Sequence, residues 1–310
     1  MLTTKERLIH HLKQYETQER INKHKFKEKA YAKAIYGIQT AKKIESLRDV
    51  ENIQGIGESI YEKCKAFFTS SHSETNKEVE AIQLFQQVHG IGPVKATELV
   101  KTYKLYTLDD LRSRIDLLQP IQKIGLKYVE DSLHRIPRSE MDKHAMYVTN
   151  TLHTASSNQL MGCLVGSYRR KKESSGDIDM LITYNHGAKH VDTYFETFIT
   201  TLIKHTYIVD ILSRGKKKCM AFCKLPLEAH VRRLDLLLTP PEEFVTSLLY
   251  FTGSQEFNIK MRTHALQLGY TLNEHSLTPL DKCTPTPPLF KTEKECFDFL
   301  HMEYTSPEHR

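Results

Sequence analysis

Apolar positions follow two rhythms along this chain. Up to about Arg135 they recur every three to four residues, as in "KERLIHHLKQYE", "FKEKAYAKAIYGIQTAKKIESL" and "ESIYEKCKAFF", which predicts a series of amphipathic helices. The polar stretch "TSSHSETNK", Thr69 to Lys77, reads as a linker between a first helical module and a second. From about Met141 one more helix gives way to shorter apolar runs, "CLVGS", "DIDMLIT", "YIVDILS", "KCMAFCKL" and "RRLDLLLTP", which predict strands. The last 65 or so residues mix both rhythms around a proline-rich loop, "TPTPP", Thr284 to Pro288. The expected organisation is α+β: a small all-helical domain, a helical connector, a sheet domain and a C-terminal α/β piece.

One feature repeats. "NIQGIGESIYEKC" and "QVHGIGPVKATEL" each set Gly-Ile-Gly before an amphipathic helix, and Gly55–Gly57 and Gly90–Gly92 lie 35 residues apart. Glycines let the backbone turn tightly and approach another chain. The helix that follows offers free N–H groups suited to phosphate. Two copies with matching flanks read as a pair of helix-hairpin-helix elements that grip a nucleic-acid backbone without reading bases.

Composition narrows the class. With 39% hydrophobic and 26% charged residues over 310 positions the chain is an ordinary globular protein, and no apolar run approaches the length of a membrane span. Its first residues lack a basic start and apolar core, so no secretion signal is expected. Six scattered cysteines without metal-binding spacing suggest free thiols and an intracellular site. Of the formal net charge of +6, +5 falls within residues 1–70. A basic module on a balanced body suits a polyanion, although charge alone equally describes a solvated basic helix.

The chemistry concentrates in "GSYRRKKESSGDIDMLI", Gly166 to Ile182. In a strand Asp177 and Asp179 share one face while Ile178 and Met180 take the other. A further predicted strand, Arg232 to Leu238, carries Asp235. Were those strands to pair at ~4.8 Å, three like charges would meet and raise one another's pKa. Divalent cations relieve that repulsion, and magnesium with open positions also holds substrate phosphates. Just upstream, Gly166-Ser167 follows a strand and Tyr168-Arg169-Arg170 reads as the start of a helix, which together would bring N–H groups, a hydroxyl and a guanidinium to a triphosphate. Clamp and carboxylates together describe a nucleotidyltransferase.

At these residues the chain resembles the family X (polymerase-beta-like) DNA polymerases. The likeness extends over "GIGESIYEK", "GIGP", "IGLKY", "RIPR", "GSYRRKKESSGDID", "RRLDLLL", "LYFTGSQEFN", "MRTHAL" and "NEHSL". It implies an N-terminal helix-hairpin-helix lyase domain (1–76), a helical thumb (77–135), a mixed-sheet nucleotidyltransferase palm (136–245) and small α/β fingers (246–310). It implies that Asp177 and Asp179 bind two magnesium ions, which manganese can replace, and that Asp235 binds the catalytic ion. Ser167, Arg170, Gly176 and Arg135 would hold the incoming triphosphate, Tyr250, Phe251 and Gly253 the sugar, Asn258 the base edge and Arg262 the template. Backbone carbonyls of Ile53, Ile56, Val88 and Ile91 would bind sodium or potassium at the hairpin turns. Lys63 would form a Schiff base with a 5′-deoxyribose phosphate, supported by Lys27 and Tyr31. The implied partners of this monomer are gapped or nicked double-stranded DNA, deoxynucleoside triphosphates and repair proteins such as a DNA ligase, with no membrane, at a nuclear or other site of DNA repair.

Departures from the family pattern refine these expectations. Ser59 replaces a phosphate-gripping lysine, and the segment after Phe68 lacks another, so lyase activity is expected to be weaker than polymerase activity. Leu237 stands where relatives carry an arginine that pairs with the middle aspartate; Ile259 and His275 replace a template-packing lysine and a tyrosine. Only "LEAHV" joins Pro226 to Arg232, which favours a templated gap filler over a terminal transferase with its long insertion. Nothing ahead of the first helices resembles a BRCT domain, so partners that dock on one are not expected. The alternatives are a catalytically silent DNA-binding scaffold and a polymerase with weak or absent lyase activity.

Overall fold

The computed structural model describes residues 3–21, 24–69 and 77–310. Most of the linker expected at Thr69 to Lys77, and with it the boundary at residue 76, lies outside the described residues. The chain divides into two compact units, Met1–Val129 and Glu130–Arg310.

In the first unit, helices Thr4–Ile21, Lys25–Thr40 and Glu58–Thr69 close on a core of Leu8, Leu12, Ala34, Ile38 and Cys64. The second of these stops at Thr40, short of the expected end near Leu47, because a new turn begins independently. Asp49 accepts the backbone N–H groups of Glu45 and Ser46 and nucleates the turn Leu47–Val50. Helices Lys77–Phe85, Pro93–Lys101 and Pro120–Lys127 build a second core around Ile82, Phe85, Leu99 and Leu126.

The two Gly-Ile-Gly turns adopt matching geometry. Gly55 has φ +104° and Gly90 has φ +87°, a region that side chains rarely visit. The N–H of Ile56 donates to the Ile53 carbonyl at 3.2 Å, and that of Ile91 to the Val88 carbonyl at 3.0 Å. A Cβ at Gly57 or Gly92 would meet nothing within 4 Å, so the second glycine of each turn faces open space.

The second unit is organised by a five-stranded mixed sheet in the order Leu160–Leu164, Ile178–Tyr184, Arg232–Leu238, Lys218–Cys223, Ile208–Arg214. Its one parallel pair joins Ile178–Tyr184 to Arg232–Leu238. Inward residues Ile178, Met180, Ile182, Leu234, Leu236 and Leu238 share a core with helices Arg138–Ala155 and Val191–Lys204. C-terminal to the sheet, helices Phe244–Thr252, Gln255–Gln267 and Glu293–Phe299 and a two-stranded ribbon, Tyr270–Leu272 with Leu277–Pro279, form a smaller core of their own. Among the described residues no helix is long and apolar enough to cross a membrane.

Candidate active site

The central strand is anchored where it begins. Buried Arg232 donates Nε and Nη2 to the two oxygens of Glu140, each at 2.7 Å, and Nη1 to the His134 carbonyl at 2.7 Å. Such a bidentate pair fixes both position and roll of the strand. It thereby sets where Asp235, three residues on, emerges.

Asp235 stands directly opposite Asp179 in the parallel register, and Asp177 lies two residues earlier on the same face. The expected gathering of Asp177, Asp179 and Asp235 is therefore present. Burial, then the charges of Asp177 and Asp235, push the Asp179 carboxyl up to about 7. Burial also raises Asp177, against the pull of Arg233. Arg233 grips Asp235 through Nη2–Oδ2 at 2.7 Å and Nε–Oδ1 at 3.2 Å. Among the described residues no three acidic, histidine or cysteine side chains stand in a ready-made ligand cage. Arg233, which bonds Asp235 and feels the charges of Asp177 and Asp179, offsets part of the trio's charge.

A pH-dependent stability follows. Asp179 titrates at about 7 in the folded chain against an ordinary 3.8, so the folded state holds more protons over that interval. Stability therefore falls as pH rises through it. Asp179→Asn is expected to melt a few degrees higher than the parent in EDTA at pH ~8, about 1–2 kcal/mol, with the gain gone by pH ~4. Thermal melts across that range check it; an equal gain at both ends would remove the burial argument.

Gly166 closes the other side of the trio. Its φ is +59°, and a Cβ there would lie 2.6 Å from Asp179 Oδ2. Gly166→Ala is expected to cost about 1–3 kcal/mol of stability through backbone strain and displacement of Asp179. Thermal melts of the variant beside the parent check it, the variant melting lower.

The basic turn is shorter than its sequence suggests: one helical turn, Gly166–Arg169, with Arg170 capping it. Ser167 Oγ donates to Ser175 Oγ at 2.9 Å, so this hydroxyl sits beside the turn that delivers Asp177. Arg170 Nη1 donates to the Thr252 carbonyl at 2.5 Å, while its buried Nε has no hydrogen-bond partner among the described residues. Arg135 donates twice to Ser174, at 2.7 Å to the hydroxyl and 2.7 Å to the carbonyl. A Cβ on Gly176 would come 3.8 Å from Arg135 Nη1. Ser167, Arg170, Arg135 and Gly176 thus converge on the edge carrying the aspartates.

Tyr250, Phe251 and Gly253 end the Phe244–Thr252 helix beside Arg170; a Cβ on Gly253 would lie 3.1 Å from Arg170 Nη1. The Tyr250 and Phe251 rings meet edge to face at 5.1 Å. Asn258 Nδ2 donates to the Tyr250 carbonyl at 2.7 Å, and Arg262 lies one turn further along the same helix, exposed. Sequence reasoning missed the element that joins these parts. Glu293 accepts from Arg169 at 2.8 and 2.9 Å and from Arg310 at 2.8 and 3.3 Å, and Arg169 also reaches Thr252 Oγ1 at 2.6 Å. Only the acidic first turn before a short helix hinted at Glu293; its partners lie 124 and 17 residues away.

Within the first unit a second cluster forms around Lys63. Its Nζ lies 5.0 Å from the Tyr15 ring centroid, and Tyr15 stacks on buried Tyr31 at 5.8 Å. Burial raises the Tyr31 phenol. Lys27 is exposed on the next helix, 3.9 Å from Glu19. Buried His11, also missed from sequence, hydrogen-bonds the Lys63 carbonyl at 3.3 Å. His11 and Tyr15 share a helix face, a spacing any core helix displays.

Comparison with known proteins agrees with this geometry. Residues 135–241 match the DNA polymerase beta palm, 247–310 the DNA polymerase beta thumb, and 83–133 the fingers domain of DNA polymerase lambda. The chain belongs to the family X DNA polymerases. These models call 247–310 the thumb and 83–133 the fingers, the reverse of the labels expected above for 246–310 and 77–135. Rattus norvegicus DNA polymerase lambda is 31% identical over 92% of this chain and 52% of its own length. Arabidopsis thaliana DNA polymerase lambda is 29% identical over 91% and 57%, and Gallus gallus DNA nucleotidylexotransferase 26% over 85% and 59%. The chain thus spans little more than half the length of these relatives.

Proposed function

We propose that this chain is a template-directed DNA polymerase that fills short gaps during base excision repair and releases 5′-deoxyribose phosphate through Lys63. The observation that carries the polymerase reading is Asp235 facing Asp179 in register, with Asp177 beside them. Three carboxylates, one driven towards neutrality by burial and then by the charges of the other two, fit magnesium or manganese better than any uncharged ligand. Asp177, Asp179 and Asp235 would hold two such ions, which neutralise charge on the attacking and leaving oxygens.

The remaining work falls to the chain's own groups. Arg170 and Arg135 would bring guanidinium charge to phosphate oxygens, with the Ser167 hydroxyl, now bonded to Ser175, as a further donor on that edge. Arg170's bond to the Thr252 carbonyl couples that clamp to the Tyr250–Gly253 segment, where sugar and base would lie. Arg233 must release Asp235 before this carboxylate can serve a metal or receive a primer hydroxyl proton. Leu237 offers no competing cation to Asp179, which supports entry into the active arrangement without that restraint. The open glycines at 57 and 92 support backbone contact with DNA, with monovalent cations at the Ile53, Ile56, Val88 and Ile91 carbonyls.

The short 227–231 loop supports template use. Glu228 pairs with Lys143 at 2.7 Å, and Asp131 accepts from His230 and from the Val231 N–H, at 2.8 and 3.1 Å. It is held against its own unit. Gap filling on one-nucleotide gaps with and without a 5′-deoxyribose phosphate, scored for magnesium-dependent extension and sugar release together, tests the whole reading. Extension without a template would favour the transferase alternative, and DNA binding without either activity would leave a silent scaffold.

A further inference from the structure

Ser167 and Arg170, the two clamp groups on the phosphate turn, are separated by Tyr168 and Arg169. Arg169 leads to the C-terminal helices through Thr252 and Glu293. Tyr168 leads the other way, to the helix Arg138–Ala155. Its hydroxyl donates to Asp142 Oδ1 at 2.8 Å, its carbonyl accepts Arg138 Nη1 at 3.0 Å, and its ring centroid lies 4.5 Å from the Arg138 guanidinium carbon. Arg138 and Asp142 are one helical turn apart on a shared face, so the two clasp a single side chain, one over the ring and one at its tip.

The same arginine closes the rest of the loop. Its backbone N–H donates to the Glu173 carbonyl at 2.9 Å, so Arg138 holds both ends of the stretch 168–173. Within that stretch the chain doubles back tightly. The Lys171 N–H donates to the Tyr168 carbonyl at 3.0 Å and the Lys172 N–H to the Ser167 carbonyl at 3.2 Å, while Lys171 takes a φ of +57°. In so tight a loop, rotation of the backbone at Tyr168 displaces Ser167 and Arg170 together.

The ring of Tyr168 is half-buried against the sheet core, where phenylalanine would pack as well. The hydroxyl adds direction, because a bond to a carboxylate is strong and fixes how the ring is turned. Burial, and then the bond to Asp142, raise the phenol, so it remains a donor at neutral pH. We infer that Tyr168, held by Asp142 and Arg138, is a positioning residue that keeps Ser167 and Arg170 where the triphosphate of an incoming nucleotide meets them. This rests on the reading of those two groups as triphosphate holders. The aspartates are set by strand register instead, so the effect falls on nucleotide affinity.

Binding of a deoxynucleoside triphosphate to the full chain on a one-nucleotide gap with a dideoxy-terminated primer measures that step without chemistry. Tyr168→Phe and Asp142→Ala are each expected to weaken nucleotide binding about three- to tenfold, with gapped-DNA affinity and melting temperature close to the parent. The double variant is expected to bind no more weakly than either single one, because both remove the same bond, and Asp142→Glu to regain part of the loss. Multiplied effects in the double variant would overturn the inference, as would losses that track a fall in melting temperature. So would unchanged nucleotide binding by Tyr168→Phe where Arg170→Gln weakens it. Were Arg170→Gln itself without effect, the triphosphate reading would fall first and the role of Tyr168 with it.

Discussion

Replacing Asp235 with alanine is expected to lower magnesium-dependent extension of a one-nucleotide gap by about 10³-fold or more, with gapped-DNA affinity nearly unchanged. The size follows from what the residue would do. A group stabilising charge only as the reaction proceeds typically costs two to three orders of magnitude when removed, and a shared metal ligand removes more than one such contribution. Asp235 sits 7% exposed, and its carboxylate is held by Arg233. The variant therefore leaves Arg233 unpaired, and some loss of stability is expected as well. Arg233→Leu separates the two effects, because it frees Asp235 without removing it. Were both variants to lose extension equally, the defect would be structural and the metal-binding role of Asp235 would fall. Extension by Asp235→Ala within tenfold of the parent would end the polymerase reading outright.

Much of this arrangement was legible because it rests on local periodicity. Alternation along 177–182 and 232–238 places the aspartates on one face and Ile178, Met180, Leu234 and Leu236 on the other, and the sheet keeps that division. Register was not legible. Whether Asp179 faces Asp235 or slips by two depends on how the strands are anchored, and the anchor is Arg232 gripping Glu140, 92 residues away. The same limit hid the Glu293 hub, whose two arginines lie 124 residues before it and 17 after it. Short turns failed for a different reason. "YRRKK" has fair helix propensity, but Lys171 takes a positive φ of 57° and the turn ends so that Arg170 can reach the Thr252 carbonyl. Tertiary contact overrode propensity there.

The second large effect concerns Lys63. Lys63→Ala is expected to lower release of 5′-deoxyribose phosphate by at least about 10²-fold and to abolish the adduct trapped by borohydride, while gap filling stays within about threefold. Only an amine can form the imine that borohydride reduces, so trapping reports on the nucleophile itself rather than on binding. Lys63 is half-buried against the Tyr15 ring, which keeps its stem ordered and its Nζ on the aromatic side of the helix, and Tyr31 backs that ring. Lys65, two residues on along the same helix, and Lys27, on the Lys25–Thr40 helix, are exposed alternatives. A trapped adduct that survives Lys63→Ala would move the chemistry to one of them. The weakness anticipated for this site is testable in the opposite direction. Ser59 is exposed, four residues before Lys63 on the Glu58–Thr69 helix, one turn away along the same face. Ser59→Lys would add a cation at that spacing, where a 5′-phosphate can meet it while its sugar reaches Lys63. Sugar release is expected to rise several-fold, mostly through a lower KM, and the gain should shrink as salt screens an exposed charge. A gain in kcat alone, insensitive to salt, would mean that Ser59 does not border the phosphate.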